Sequence, residues 1–124
     1  MEEVKQNSFT IGNWYLINGK PTKISRENIQ EILNSQCQPI LLTPEILVKY
    51  GFEKFPGRED YYFLKCDPGL YPIPFYIEYI TSNMSLYLNE GLIPRPIRYL
   101  DELQDSMRLC NVNKDINIDM TDIQ

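Results

Sequence analysis

The stretch from Pro39 to Phe52, Pro-Ile-Leu-Leu-Thr-Pro-Glu-Ile-Leu-Val-Lys-Tyr-Gly-Phe, has the form of a short helix with a signal at each end. Thr43 is placed to cap the first free amides with its hydroxyl, and Pro44 fits the first helical position, where a missing N–H costs nothing. Gly51 can adopt the left-handed conformation that closes a Schellman turn and returns Phe52 over the helix. These residues specify structure rather than chemistry.

A β-hairpin and a second helix are predicted before this stretch. Alternating apolar residues indicate a strand over Phe9–Ile17, and Asn18-Gly19 is typical of a type I′ turn, so Lys20–Ile24 should return antiparallel. Pro21 places the returning strand at a sheet edge. Helical spacing of apolar residues then predicts a helix over Arg26–Asn34, followed by a polar loop to Gln38.

Three strands are predicted after the Pro39–Phe52 stretch. A charged turn covers Glu53–Asp60, and aromatic, alternating segments indicate strands at Tyr61–Cys66, Phe75–Ile80 and Met84–Leu88. The alternation predicts an antiparallel meander with one apolar face.

The last third contains an extended arm, a helix and a tail. The proline-rich segment Ile93–Arg98 should run extended along the surface. Asp101 and Gln104 have the spacing of a capping box, which predicts a helix from Asp101 to about Asn111. The acidic segment 113–124 is interpreted either as a poorly ordered tail or as a short docked extension.

These elements predict an α+β fold, with a mostly antiparallel sheet of about five strands and three helices packed on it. A length of 124 residues suits one domain, with a core over about 9–112. The polar, acidic start does not resemble a secretory signal, and no apolar run is long enough to span a membrane. We therefore expect a cytoplasmic protein with no membrane association.

Composition removes several kinds of chemistry. The chain has no histidine, which excludes Ser-His and Cys-His nucleophile pairs and histidine-ligated metals. Cys37, Cys66 and Cys110 show no metal-binding spacing, and the glycines form no phosphate loop. The acidic pairs Glu59-Asp60 and Asp101-Glu102 are interpreted as solvent-facing groups. We therefore name no catalytic residue, cofactor or metal, and an enzyme that uses only carboxylates, tyrosines or a cysteine is the third and least favoured hypothesis.

The net charge of −5 weighs against nucleic acid as a general partner, although tyrosine-rich strands can stack on bases. An aromatic sheet, a possible exposed edge strand and a proline-punctuated arm are instead typical of protein recognition. The candidate interaction surface consists of four aromatic residues and two arginines: Trp14, Tyr62, Tyr76, Tyr87, Arg95 and Arg98.

Several of these motifs also resemble a known family. Ile11–Trp14, Pro39–Leu47 with Gly51-Phe52, the aromatic strands and Tyr99–Gln104 are similar to small uncharacterised proteins from Bacteroides-type bacteria and their phages and mobile elements. The similarity covers roughly residues 9–110. It implies a cytoplasmic accessory protein of a gut bacterium or phage, with no activity to carry over.

The chain departs from that family in its last motif. The family often has a histidine at the position of Asp101, followed by Leu-Gln-Asn and an aromatic pair, where this chain has Asp105, Ser106 and Met107. The departure removes the one group titrating near neutrality that this helix could have offered as functional, and it weakens the idea of shared chemistry there.

Together these observations favour a non-enzymatic accessory protein of a phage or mobile element that binds an unknown host or phage protein. Self-association would use the exposed strand edge at Lys20–Ile24. The alternative hypothesis is a nucleic-acid-binding module that uses the tyrosine-rich sheet face.

Overall fold

The computed structural model of the chain describes residues 10–66, 75–88, 91–92, 96–109, 112 and 116–123. The chain divides into two compact units. The first takes its described residues from Met1–Leu42, Tyr99–Asn113 and Asn117–Gln124, and the second from Thr43–Arg98 and Lys114–Ile116. Compact units of this size can belong to one folding domain, so the single domain stays a prediction.

The first unit contains a three-stranded antiparallel sheet. Its strands are β1 (Trp14–Ile17), β2 (Lys20–Lys23) and β3 (Cys37–Gln38), in the order β2-β1-β3. Asn18 and Gly19 between β1 and β2 have φ angles of 51° and 81°, the two positive values that a type I′ turn requires. The predicted hairpin, with its second strand at a sheet edge, is therefore confirmed.

Two predictions about this sheet are wrong. The strand expected over Phe9–Ile17 is shorter, because Gly12 has a φ of 95° and lies in a turn that Asn13 closes by donating to the Thr10 carbonyl. Phe9 lies outside the described residues. The loop expected up to Gln38 instead contains β3, which is a strand because it pairs with β1 rather than because of its own polar sequence.

The first helix, α1 (Ile29–Ile32), is shorter than the predicted Arg26–Asn34. The turn before it is held reciprocally: the Ser25 amide donates to Asn28 Oδ1 at 2.8 Å, and the Asn28 amide donates to Ser25 Oγ at 3.3 Å. Ser25 thus caps a turn, not a regular helix. The apolar side of α1 packs in a cluster of buried residues: Tyr15, Ile17, Ile24, Ile32 and Cys37.

The helix α3 (Leu100–Leu109) also belongs to the first unit, and it lies against β1. It begins one residue before the predicted cap, Asp101. The hydrogen bond that caps its start comes from Glu102 instead: Glu102 Oε1 accepts from the Tyr99 amide at 3.0 Å. Asp101 and Gln104 are therefore inside the helix, and their side chains are available for tertiary contacts.

The helix α2 (Pro44–Tyr50) of the second unit begins at Pro44 and ends before Gly51, as the predicted end signals require. Thr43 Oγ1 accepts from the Ile46 amide at 3.3 Å. Gly51 has a φ of 115°, and the Phe52 amide donates to the Leu47 carbonyl at 2.9 Å, as in a Schellman turn. Phe52 is 1% exposed and Leu47 is fully buried.

The second unit contains an antiparallel sheet of five strands in sequential order. They are β4 (Glu53–Lys54), β5 (Tyr61–Cys66), β6 (Phe75–Ile80), β7 (Ser85–Leu88) and β8 (Gly91–Leu92). The predicted meander corresponds to β5, β6 and β7, while part of the predicted charged turn forms β4. The α+β class and three α-helices among the described residues are confirmed, but the single sheet is wrong, because the front hairpin pairs with β3 in a sheet of its own.

The described part of the tail, residues 116–123, contains a 3₁₀ turn at Met120–Asp122. Asp119 and Asp122 form a reciprocal capping box at its start. Ile116 and Ile118 are 7% and 4% exposed. Both interpretations of the segment 113–124 stay predictions, because residues 113–115 and 124 lie outside the described ones.

Candidate interaction surface and a buried polar cluster

The sheet of the second unit has two chemically different faces. Side chains alternate along each strand, and cross-strand partners share a face. The inner face carries buried residues, which are Tyr62, Leu64, Cys66, Ile77, Tyr79 and Leu86. The outer face carries half-buried or exposed residues, which are Tyr61, Phe63, Lys65, Tyr76, Glu78, Ile80, Ser85 and Tyr87.

Aromatic rings cluster on the outer face. The ring of Phe55, in the turn after β4, lies 5.1 Å from the ring of Tyr61 and 6.1 Å from that of Phe63. Phe55 is 45% exposed and Tyr76 is 42% exposed. Tyr76 is diagonal to Phe63 across β5 and β6, and Tyr87 is diagonal to Tyr76 across β6 and β7. We call these five residues the aromatic surface.

Charged residues accompany the aromatic surface. Glu78 is directly opposite Phe63 on β5 and Tyr87 on β7, so a carboxylate lies between two rings. The exposed Lys65 is opposite Tyr76. The Arg58 guanidinium lies 5.3 Å from the centroid of the Tyr61 ring, a cation–π distance.

Arg58 is also paired with an acid at the rim of this face. Its Nε lies 3.5 Å from Asp60 Oδ1, and Ser82 Oγ donates to Asp60 Oδ2 at 2.9 Å. The pKa of Asp60 is lowered, first by the Ser82 hydroxyl and less by the Arg58 charge. The cation is therefore partly neutralised where the rings are most closely packed.

The six candidate residues from the sequence do not lie together. Tyr76 and Tyr87 share the aromatic surface, whereas Tyr62 is 6% exposed on the inner face. Trp14 is 8% exposed and belongs to the first unit. Arg98 is exposed, and Arg95 lies outside the described residues.

Phe55 and Phe63 are the members of the aromatic surface that sequence reasoning missed. Phe63 alternates with Tyr62 along β5, and only the pairing with β6 shows which of the two faces the core. Phe55 was assigned to a charged turn. Its amide donates to the Tyr61 carbonyl at 2.8 Å, which brings its ring to the sheet.

A second group of side chains, in the first unit, forms a buried polar cluster between α3 and β1. Gln104, 4% exposed, accepts from the Trp14 amide through Oε1 at 3.0 Å and donates to the Gly12 carbonyl through Nε2 at 3.4 Å. Asn13 is fully buried, and its Nδ2 donates to Asp105 Oδ1 at 2.8 Å and to the Asp101 carbonyl at 3.4 Å. The residues just before and at the start of β1 are thus held by polar side chains of α3.

Asp101 is the unusual group of this cluster. Burial raises the pKa of Asp101 to about 6, with smaller contributions from the charges of Glu102 and Asp105. Burial also raises the pKa of Tyr15 to about 12 and that of Cys37 to about 11, and the Asp101 charge adds to both shifts. Asp101 is half-buried and its Oδ1 is shielded from solvent, so the expectation that this acidic pair faces solvent is not met at Asp101.

Gln104→Leu tests the cluster, and we expect the variant to lose about 1–3 kcal/mol of unfolding free energy. The reason is that leucine leaves the buried Trp14 amide without its acceptor. Chemical denaturation followed by circular dichroism measures the change. Gln30→Leu, at an exposed position of α1, is the control and should change stability by less than about 0.5 kcal/mol. Equal stability of the two variants would contradict the assigned role of Gln104.

The described residues contain no group of three or more acidic, cysteine or histidine side chains arranged to hold a metal ion. Cys37 and Cys66 are buried, and neither forms a disulfide within the described ranges. No helix in the described ranges combines the length and apolarity needed to cross a bilayer.

Comparison with protein-family models, curated proteins and solved structures found no match to this chain.

Proposed function

We propose that the chain is a non-enzymatic accessory protein that binds another protein through the aromatic surface. The observation that carries the proposal is the ring cluster of Phe55, Tyr61 and Phe63, continued by Tyr76 and Tyr87, on the sheet face opposite the buried one. Exposed aromatic residues give large contact areas with few side-chain torsions to fix, and they are enriched where proteins bind one another.

The charges on this face favour a partner segment that presents a basic side chain. Glu78 lies between Phe63 and Tyr87, so an arginine or lysine placed there meets a carboxylate and two ring faces. Arginine suits this setting best because its planar guanidinium can stack and donate two hydrogen bonds at once. A phosphate placed there would meet the carboxylate instead.

The family resemblance supports a phage or mobile-element origin, and hence a host or phage protein as the partner. A second copy of the chain is the other protein that this surface would accept. The cytoplasm remains the expected location, since the resemblance implies it.

Site-specific crosslinking tests the proposal. A photoreactive phenylalanine analogue is placed at Tyr76, on the aromatic surface, or at Val48, which is 58% exposed on α2. We expect position 76, and not position 48, to give one reproducible crosslinked protein in cells of the source bacterium. A crosslink to a second copy would assign the surface to self-association, and equal crosslinking from both positions would overturn the proposal.

Affinity for the crosslinked partner should then depend on the same residues. We expect Phe55→Ser combined with Tyr76→Ser to weaken binding at least tenfold, since central aromatic residues dominate interface energies. Val48→Ser, a matched loss of exposed apolar surface, should leave the affinity unchanged. Glu78→Gln should weaken binding and its salt dependence together if the partner supplies a basic side chain. Isothermal titration at two salt concentrations measures all four proteins.

The alternative is a nucleic-acid-binding module on the same face. Arg58 over Tyr61 and Lys65 beside Tyr76 favour it, because cations next to rings suit stacked bases and phosphates. Glu53, opposite Phe63, and Glu78 weigh against it. Fluorescence titration with single-stranded nucleic acid at low and high salt distinguishes the two functions. Binding that weakens as salt is added, and that is lost in the Phe55/Tyr76 double variant, would favour the nucleic-acid-binding module.

A further inference from the structure

Two buried oxygen atoms in the polar cluster of the first unit accept no hydrogen bond from the described protein groups. They are Asp101 Oδ1 and Asn13 Oδ1, and both are shielded from solvent. Asn13 is fully buried, and its Nδ2 is already directed to the Asp101 carbonyl and to Asp105. Buried acceptors without a donor are costly, and an ionised one is the most costly. A proton on the Asp101 carboxyl removes the charge and supplies a donor within this cluster.

The titratable groups around Asp101 also oppose its ionisation, against hydrogen bonds from the backbone amides of Asp101 and Glu102 that favour it. Glu102 and Asp105 on α3 are acids, and Tyr15 on β1 and Cys37 on β3 are groups whose own ionisation the Asp101 charge opposes. Arg108, a cation on the same helix, pairs through Nη1 with Asp105 Oδ1 at 3.4 Å. A negative charge on Asp101 would therefore lie half-buried, with Oδ1 shielded from solvent, next to other half-buried acids.

We propose that the contact between α3 and β1 is a pH-sensitive element, in which the neutral Asp101 carboxyl favours the packed helix and its ionisation weakens the packing. Asp101 projects from the first turn of α3, whose next turn holds the start of β1 through Gln104. Ionisation draws the carboxylate toward water. The residues that hold β1 lie on the same helix, so a displaced first turn would loosen them.

The direction of the effect follows from the two protonation equilibria. The pKa of Asp101 is about 6 in the folded chain, and the ordinary pKa of an aspartate, 3.8, applies to the unfolded chain. The folded chain therefore binds this proton roughly 100-fold more tightly than the unfolded chain does. The stability that this proton contributes is fully present below pH 3.8 and is lost as the pH rises through about 6. Protonation of Asp101 at low pH thus stabilises the packed state. Most carboxylates behave in the opposite way, because their contacts in the folded state weaken when they are protonated.

The proposal is tested by comparing wild type with Asp101→Asn, which keeps the shape of the side chain and supplies donors without titrating. Thermal unfolding midpoints are measured from pH 4 to pH 8. We expect the unfolding midpoint of the variant to lie several degrees above that of wild type at pH 7–8. This difference in midpoint should shrink steadily as the pH falls below 6. Asp60→Asn, which removes a carboxyl whose pKa is lowered, is the control and should give no gain at pH 7.

A direct measurement keeps the proposal testable if Asp101→Asn folds poorly. In wild type, the carboxyl carbon resonance of Asp101 should titrate near pH 6, and in Asp105→Asn at a lower pH, because one neighbouring charge is removed. Amide resonances at the start of β1 and in the first turn of α3 should shift with the same midpoint. The proposal would be overturned if the Asp101 resonance titrated near pH 4. It would also be overturned if the difference in unfolding midpoint between wild type and Asp101→Asn were the same at every pH.

Discussion

Replacement of Phe52 by alanine should lower the unfolding free energy by about 3–5 kcal/mol. Phe52 is 1% exposed, and its amide closes the end of α2 by donating to the Leu47 carbonyl. The substitution removes a ring from a packed site. The backbone turn at the end of α2 is fixed, so the neighbouring residues cannot move in to fill the space. The loss therefore combines lost apolar burial with a cavity. Urea denaturation followed by circular dichroism and tyrosine fluorescence measures it.

Phe55→Ala is the matched control, since the same ring is removed three residues later at a site that is 45% exposed. The variant loses ring contacts with Tyr61 and Phe63, so we expect the unfolding free energy to fall by less than about 1.5 kcal/mol. A Phe55 variant as destabilised as the Phe52 variant would show that the aromatic surface is part of the core. The proposed binding role would then lose its main support.

Leu103→Ala should cost about 2–5 kcal/mol of unfolding free energy. Leu103 is fully buried on α3, one residue before Gln104. Alanine keeps the helix, because its helix propensity is high, so the loss reports packing rather than helix formation. The same denaturation measurement applies.

Leu109→Ala on the same helix is the control for Leu103→Ala. Leu109 is 90% exposed, and we expect a change within about 0.5 kcal/mol. Similar losses at both positions would mean that α3 is marginal as a helix and that its packing contributes little. Such a result would also undermine Asp101 as a pH-sensitive group, because its pKa depends on burial in that packing.

Local signals predicted the elements that they specify directly. Thr43, Pro44 and Gly51 fixed both ends of α2, and Asn18-Gly19 fixed the first hairpin turn, because each acts on its own backbone or on its nearest neighbours. The strands β5 and β6 were predicted with their observed bounds from aromatic content and alternation. β3 was missed because Cys37-Gln38 carries no strand signal of its own and depends on β1 for its hydrogen bonds.

The candidate surface was predicted less well than the fold. Alternation shows that Tyr62 and Phe63 point to opposite faces, but it does not show which face meets the core. Two of the candidate residues, Tyr76 and Tyr87, lie on one face of the sheet, whereas the strand register was needed to add Phe55 and Phe63 to that face. Whether this face binds a protein stays a prediction.

The sequence by itself determined the helix caps, the hairpin turn and the division of the meander into an apolar and a mixed face. These depend on φ preferences, on side chains that reach neighbouring amides and on strand periodicity, all of which act over a few residues. The tertiary structure alone decided that the strands form two sheets and that Gln104 holds β1. It also decided the pKa of Asp101, because burial and nearby charges come from residues far apart in sequence.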